Sequence, residues 1–191
     1  MTGYSPVSIP KKNNGGRTKP KKAKIIIFRL NDVETFPDVD DKGISIDSDL
    51  VLNEKAKAFY LEATASTINI TQTSEGDPDN KGCKQKIELS RPGSDDLPFE
   101  EFIENNINED LGAIVEYQGT NICKLAGYPG NPLQISVEST DNNEGDVNKL
   151  TLESVLRGRR ISFYKGKLPA LADTAITDPP ATSGSSSGQS V

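Results

Sequence analysis

Apolar and polar residues alternate along much of this chain with a period of two, the mark of half-buried strands. The first strong signal departs from that rule. Ile25-Ile26-Ile27-Phe28, followed by Leu30, is a short continuous apolar run and predicts a strand covered on both faces. Further on, Leu61, Ala63 and Ala65 alternate with Glu62, Thr64 and Ser66. The apolar phase then shifts to Ile68 and Ile70, which predicts a bulge near Thr67. After turn formers at 74–82, Cys83, Ile87 and Leu89 share one face, with Lys84, Lys86 and Glu88 on the other. The stretch from Leu61 to Leu89 therefore reads as one long hairpin. More strands are predicted at Ala113–Tyr117, Cys123–Leu125, Leu133–Val137 and Leu150–Val155, and Ile161 and Phe163 close the series. Turn signals at 118–121, 127–132 and 141–146 separate them.

One segment changes period. Phe99, Phe102, Ile103 and Ile107 fall on one face at helical spacing. Ser94, Asp95 and Asp96 supply a cap and favourable charge, and Pro98 stands in the first turn. Glu100, Glu101 and Glu104 point away from the apolar stripe and read as a solvated face, not as an acid–base cluster. The expected fold is mainly β: a β-sandwich or barrel of about eight strands with one packed α-helix, and extended N- and C-terminal tails. The tails, residues 1–23 and 169–191, are rich in Pro, Gly, Ser and Asn and hold too little apolar surface to offset the entropy of ordering. Residues 24–168 form the expected β domain. Within it, residues 31–55 carry many turn formers around Ile44, Ile46, Leu50 and Leu52, and predict a projecting loop or hairpin.

Charge divides the chain unevenly. The first 24 residues carry seven cations (Lys11, Lys12, Arg17, Lys19, Lys21, Lys22 and Lys24) and no acid. The remainder holds 15 Lys and Arg against 28 Asp and Glu, a balance of −13. A basic arm on an acidic body can dock onto the next copy of that body, which points to self-assembly. Arg157, Arg159 and Arg160, close to Phe163 and Tyr164, invite a nucleic-acid reading. An acidic neighbouring subunit is their simpler partner, while a lysine-rich arm also suits a phosphate backbone.

The chemistry of catalysis is thinly represented. The chain has no His, which removes imidazole bases, His-dependent nucleophiles and His metal ligands. Phosphate loops, nucleophile elbows and dinucleotide fingerprints are absent from the sequence. Asp77 to Gly82 has the acids and glycine of a calcium loop, but Lys81 stands at a ligand position, and a hairpin turn is the expectation. Cys83 and Cys123 belong to no Cys-x-x-Cys pair. They read as inward reduced thiols, with a disulfide between adjacent strands as the alternative. No cofactor, metal or membrane partner is expected. No apolar run approaches the ~20 residues of a membrane-spanning helix, and residues 1–24 lack the apolar segment of a secretory signal, so a cytoplasmic site of synthesis is expected.

The order of elements, a strand, a long excursion, a long hairpin, a lone helix and then paired strands, resembles the tail tube proteins of long-tailed bacteriophages and the related type VI secretion tube protein. The similarity covers roughly Lys24 to Leu168. It rests on the threonine-rich strand Ala63-Thr64-Ala65-Ser66-Thr67, the helix Leu97 to Ile103, the strand pair around Gln118-Gly119 and the ending Tyr164-Lys165-Gly166. The resemblance implies hexameric rings whose sheets join edge to edge, stacked into a channel through which the genome passes. It implies a virion location, assembly in the host bacterial cytoplasm, homo-oligomeric and other tail-protein partners, and transient passage of DNA. It further implies that the 31–55 excursion touches the next ring. Expected interface residues are Lys11, Lys12, Arg17, Lys19, Lys21, Lys22, Ile44, Ile46, Leu50, Leu52, Arg157, Arg159 and Arg160. Expected channel residues are Glu62 and Glu88, an acidic lining that repels phosphates. The alternatives are a terminator or baseplate protein of the same fold and a β-sandwich that binds a ligand. Missing Trp counts against sugar recognition.

Overall fold

A computed structural model describes residues 7–11, 16, 19–93, 95–143 and 145–173. The elements in chain order are β1 (Lys21–Arg29), β2 (Val33–Thr35), β3 (Ser45–Ile46), β4 (Val51–Leu52), β5 (Phe59–Glu62), β6 (Asn69–Glu75) and β7 (Gly82–Pro92). They continue with α1 (Leu97–Asn106), β8 (Leu111–Tyr117), β9 (Cys123–Ala126), β10 (Leu133–Asn142), β11 (Gly145–Ser154) and β12 (Ser162–Tyr164). Ten strands form one sheet folded into two layers. The first layer runs β5-β1-β8-β9-β12-β3, and the second runs β10-β11-β7-β6. The strands of the two layers are joined by a single residue pair, Leu111 with Leu133. Among the described residues the protein is thus a β-sandwich with a single α-helix.

β1 pairs with β5 on one side and β8 on the other, and Ile25 to Phe28 are all buried. A continuous apolar run is what a strand needs when both of its faces are covered. Its odd positions, Ile25 and Ile27, meet Ile87, Leu89, Leu150, Leu152 and α1 in the core between the layers. Its even positions, Ile26 and Phe28, face a second, smaller core with Ile46, Leu50, Ile114, Leu125 and Tyr164. Gly112 makes the Phe28 position possible. A Cβ there would stand 2.3 Å from the Phe28 ring, so the ring lies flat across the neighbouring strand only because no side chain intervenes.

The helix begins where Asp96 caps it: the Phe99 backbone N–H donates to the Asp96 carboxylate at 3.2 Å, and Pro98 occupies the first turn. Phe99 and Ile103 bury against the inter-layer core, and Phe102 meets Phe59 edge to face at 5.2 Å. At the far end Arg29 donates from Nε to Asn106 Oδ1 at 2.9 Å and from its guanidinium to the Asn105 carbonyl at 3.1 Å. Each buried Ile or Phe of this face stabilises the fold by about 1.5–3 kcal/mol.

Four expectations are corrected. Leu61 belongs to β5 and pairs with Ile25 of β1, so the long hairpin is β6 with β7, not Leu61 to Leu89. The phase shift near Thr67 is a 3₁₀ turn over Ala65–Thr67 that carries the chain from one layer to the other, not a bulge. The excursion does not project. Phe36, Val39, Ile46, Leu50 and Leu52 fold back over the first layer and close the second core, because the even face of β1 and β8 is apolar and has to be covered. The basic arm ends earlier than residue 23, since Lys21 already pairs with Tyr117.

Candidate functional site

The expected interface residues do not share one environment. Ile46 is 0% exposed and Leu50 is 4% exposed. Both are core residues of their own subunit, which corrects their placement at an interface. Ile44 is exposed and Leu52 half-buried. Among the cations, Lys12 and Arg17 lie outside the described residues, and Lys11 and Lys19 are exposed.

The other lysines split by face. Lys22 turns toward the smaller core and pairs with the nearly buried Glu116. Lys21 turns the other way and lies 6.0 Å from the centre of the Tyr117 ring. Across the sheet Lys124 pairs with Phe163 and its ammonium stands 5.9 Å over that ring. Burial, and then Lys21, Arg160 and Lys19, push the Lys124 ammonium below its ordinary value. Sequence reading passed over Lys124. Alternation gave no signal for it, since Lys124 falls on the face opposite Cys123 and Leu125.

The three arginines do not form a cluster. The Arg157 guanidinium covers the β6–β7 turn so closely that a Cβ on Gly76 would meet it at 2.3 Å. Arg159 stacks on Tyr128 at 4.2 Å with Phe36 at 5.8 Å, and burial pushes its guanidinium pKa below the ordinary value. Arg160 is close enough to Lys124 to repel its ammonium. What holds this loop is a set of buried and half-buried polar groups that the hydrophobic pattern conceals. Gln85 donates to the Arg159 carbonyl at 2.9 Å and accepts from the Gly127 N–H at 2.8 Å. Gln72 accepts from the Ile161 N–H at 3.0 Å, Asn131 from the Leu156 N–H at 2.8 Å and Tyr128 from the Arg159 N–H at 3.2 Å. Gln85 occupies the same strand phase as Cys83, Ile87 and Leu89, so an inward glutamine was readable as a bonded one.

Glu62 and Glu88 stand on different layers, in β5 and β7. Glu88 is held below the usual carboxylate range chiefly by its hydrogen bond with Lys86, at 2.8 Å. Cys83 and Cys123 are both free thiols. A groove of about 320 Å³ opens between β5 and α1, with Phe59, Phe99 and Phe102 on its walls. Arg91 and Asp96 cross it as an ion pair, so its polar groups already satisfy each other.

The second layer has two free strand edges. Among the described residues β6 pairs only with β7, and β10 beyond Leu133 pairs only with β11. The second layer therefore ends in an open backbone edge on each side. No protein-family model, curated protein or solved structure matches this chain.

Proposed function

We propose that this protein is a structural subunit that assembles with its own kind into rings, stacked as the tube of a bacteriophage tail, with no catalytic role. The observation that carries the reading is the two-edged second layer β10-β11-β7-β6. An open edge is a template for another chain's backbone. Two different edges on one subunit make a head-to-tail contact, which closes into a ring or runs on as a filament. The well-tied loops and the satisfied groove suit a building block better than a site that turns over substrate. Genome passage and other tail proteins as partners follow from the same reading. The excursion 31–55 reaches a neighbouring ring, in this reading, through Ile44 and Val51, which are exposed. Glu88 keeps a place on the channel only together with Lys86, giving a wall of alternating sign.

Negative-stain electron microscopy of the full-length protein across a range of salt tests the proposal. Rings of a few subunits or hollow tubes are expected. Compact monomers at every concentration and salt would refute it and turn attention to ligands of the sandwich.

A further inference from the structure

β5 is the last strand of the first layer, and among the described residues its one partner strand is β1. On its other side it meets the end of the chain. Just before β5, the Ala58 N–H donates to the Ala170 carbonyl at 2.9 Å, and the Ala172 N–H donates to the Ala58 carbonyl at 2.7 Å. The two bonds are one step of a parallel ladder that pairs Ala58 with Leu171. Both of those side chains pack into the smaller core. Ala172 therefore falls on the opposite face, the one that carries Phe59 and Leu61. Ala172 and Asp173 lie on the rim of the 320 Å³ groove between β5 and α1. Asp173 turns out to solvent, 3.7 Å from Lys57. It is the last described residue, and 18 residues, 174–191, follow it. Thr174 and Ile176 continue the phase of Ala172, and Ile176 is the only large aliphatic residue between Asp173 and Val191. An extended chain covers about 13 Å from Ala172 to Ile176. The groove runs the same way, from Phe59 beside Phe102 to Arg91, which stands 5.5 Å from the Phe99 ring and donates to the Glu62 carbonyl at 3.2 Å.

We propose that residues 174–176 dock in the groove of their own chain as one more strand parallel to β5, with the Thr174 N–H donating to the Tyr60 carbonyl and the Ile176 side chain set against the Pro98 and Phe99 end of α1. Backbone direction alternates along β5, so the groups of Tyr60 point to the same edge as those of Ala58. Glu62 is the next in phase, and its carbonyl is held by Arg91, so the ladder stops there. Pro179-Pro180 follow soon after and have no N–H with which to prolong it. The occupant fits the site chemically. The walls are aromatic and the one ion pair across the groove is satisfied within itself, so what the groove lacks is apolar volume, and an isoleucine supplies it. Own chain is favoured over a neighbour's because a segment joined to the rim meets the groove at a roughly millimolar effective concentration. The added strand leaves the first layer with an edge marked by Asp173, Asp178 and two prolines, residues that discourage further pairing. Lateral joining is then left to the edges of β6 and β10. The docking itself does not depend on the self-assembly reading.

Amide exchange read residue by residue on the full-length protein tests the docking. Slow exchange is expected at Ala172 and Thr174, and fast exchange at Asp173 and Ala175, whose N–H groups point away from β5. Ile176→Asp is expected to speed exchange at Thr174 by roughly ten- to hundredfold, the worth of one buried isoleucine. Ile87 in the core should stay protected in that variant, which shows that it folds, and Ile176→Leu should keep the parent's slow Thr174. Fast exchange throughout 174–176 in the parent overturns the proposal. So does protection of Asp173 and Ala175 in place of Thr174, which reports a different register, and so does an Ile176→Asp variant that exchanges like the parent. Thr174 protection that fades on dilution removes the own-chain assignment in favour of a neighbouring copy's groove. Micrographs of the same samples keep the two readings apart. Tubes built from a protein with an unprotected segment retain the assembly and remove the docking, and a protected segment in a lone monomer does the reverse.

Discussion

The two faces of the first layer are covered in different ways. One is closed by the second layer, in which β7 and β11 present Ile87, Leu89, Leu150 and Leu152 in strict alternation. The other is closed by the excursion from Leu30 to Ala58, which has only three short strands of two or three residues. The regular cover is held by ladders of backbone bonds. The irregular cover depends on a few side chains that stand in for a ladder. The Leu50 N–H donates to the Tyr164 hydroxyl at 2.9 Å, and that hydroxyl donates to the Lys167 carbonyl. Asp40 accepts from the Ile44 N–H at 2.8 Å, the Ser45 N–H at 3.1 Å and the Ser45 hydroxyl at 2.9 Å. A sheet shares its stability over many equivalent bonds, so loss of one is diluted. An irregular cover concentrates stability in single groups that can be removed one at a time.

The contrast sets the order of effects. Leu152→Ala, in the fully buried centre of the regular side, is expected to lower global stability by about 2–5 kcal/mol. Chemical denaturation reads this as one transition shifted to lower denaturant. Tyr164→Phe keeps the ring and removes the hydroxyl, stranding the Leu50 N–H and the Lys167 carbonyl. A loss of about 1–3 kcal/mol is expected, confined to the excursion: amide exchange at Leu50 speeds up while Ile87 and Leu152 stay protected. Equal loss of protection on both faces would show that the two covers unfold as one unit. The smallest effect is that of acid. The backbone N–H groups of Ile44 and Ser45 hold the Asp40 carboxyl below its ordinary 3.8. A depressed carboxyl contributes stability that is complete above its ordinary value and lost as pH falls through its lowered one. Below about pH 4, exchange protection of the Ile44 and Ser45 amides is expected to fall before that of β7, and Asp40→Asn should flatten this dependence.

The same contrast explains how much was legible beforehand. Period two marked the strands of the regular side, and the β8–β9 and β10–β11 hairpins fall where alternation and turn residues put them. The helix was readable from Phe99, Phe102 and Ile103 and from the capping Asp96. What alternation cannot carry is which strand pairs with which. Leu61 and Ile87 share a phase, yet Leu61 pairs with β1, because a 3₁₀ turn of three residues lifts the chain to the other layer. The excursion was misread as projecting because its apolar residues follow no period, and a cover with only two very short ladders needs none. The lysine-rich start was visible as composition, and the acids of α1 as an outward face. That those lysines lie beside the Tyr117 end of β8 was not, since it follows from the antiparallel pairing of β1 with β8.

That pairing also fixes when the protein can fold. Lys22 meets Glu116, 94 positions further along the chain, so β1 has no partner strand on that side until β8 has been made. Hairpins such as β6–β7 and β10–β11 close locally and early, whereas β1 waits as an exposed Ile-Ile-Ile-Phe segment, the composition from which aggregates nucleate. The lysines at 21, 22 and 24 stand immediately before it. Their positive charge keeps nascent copies apart during the interval in which one side of that strand has nothing to pair with but its own kind.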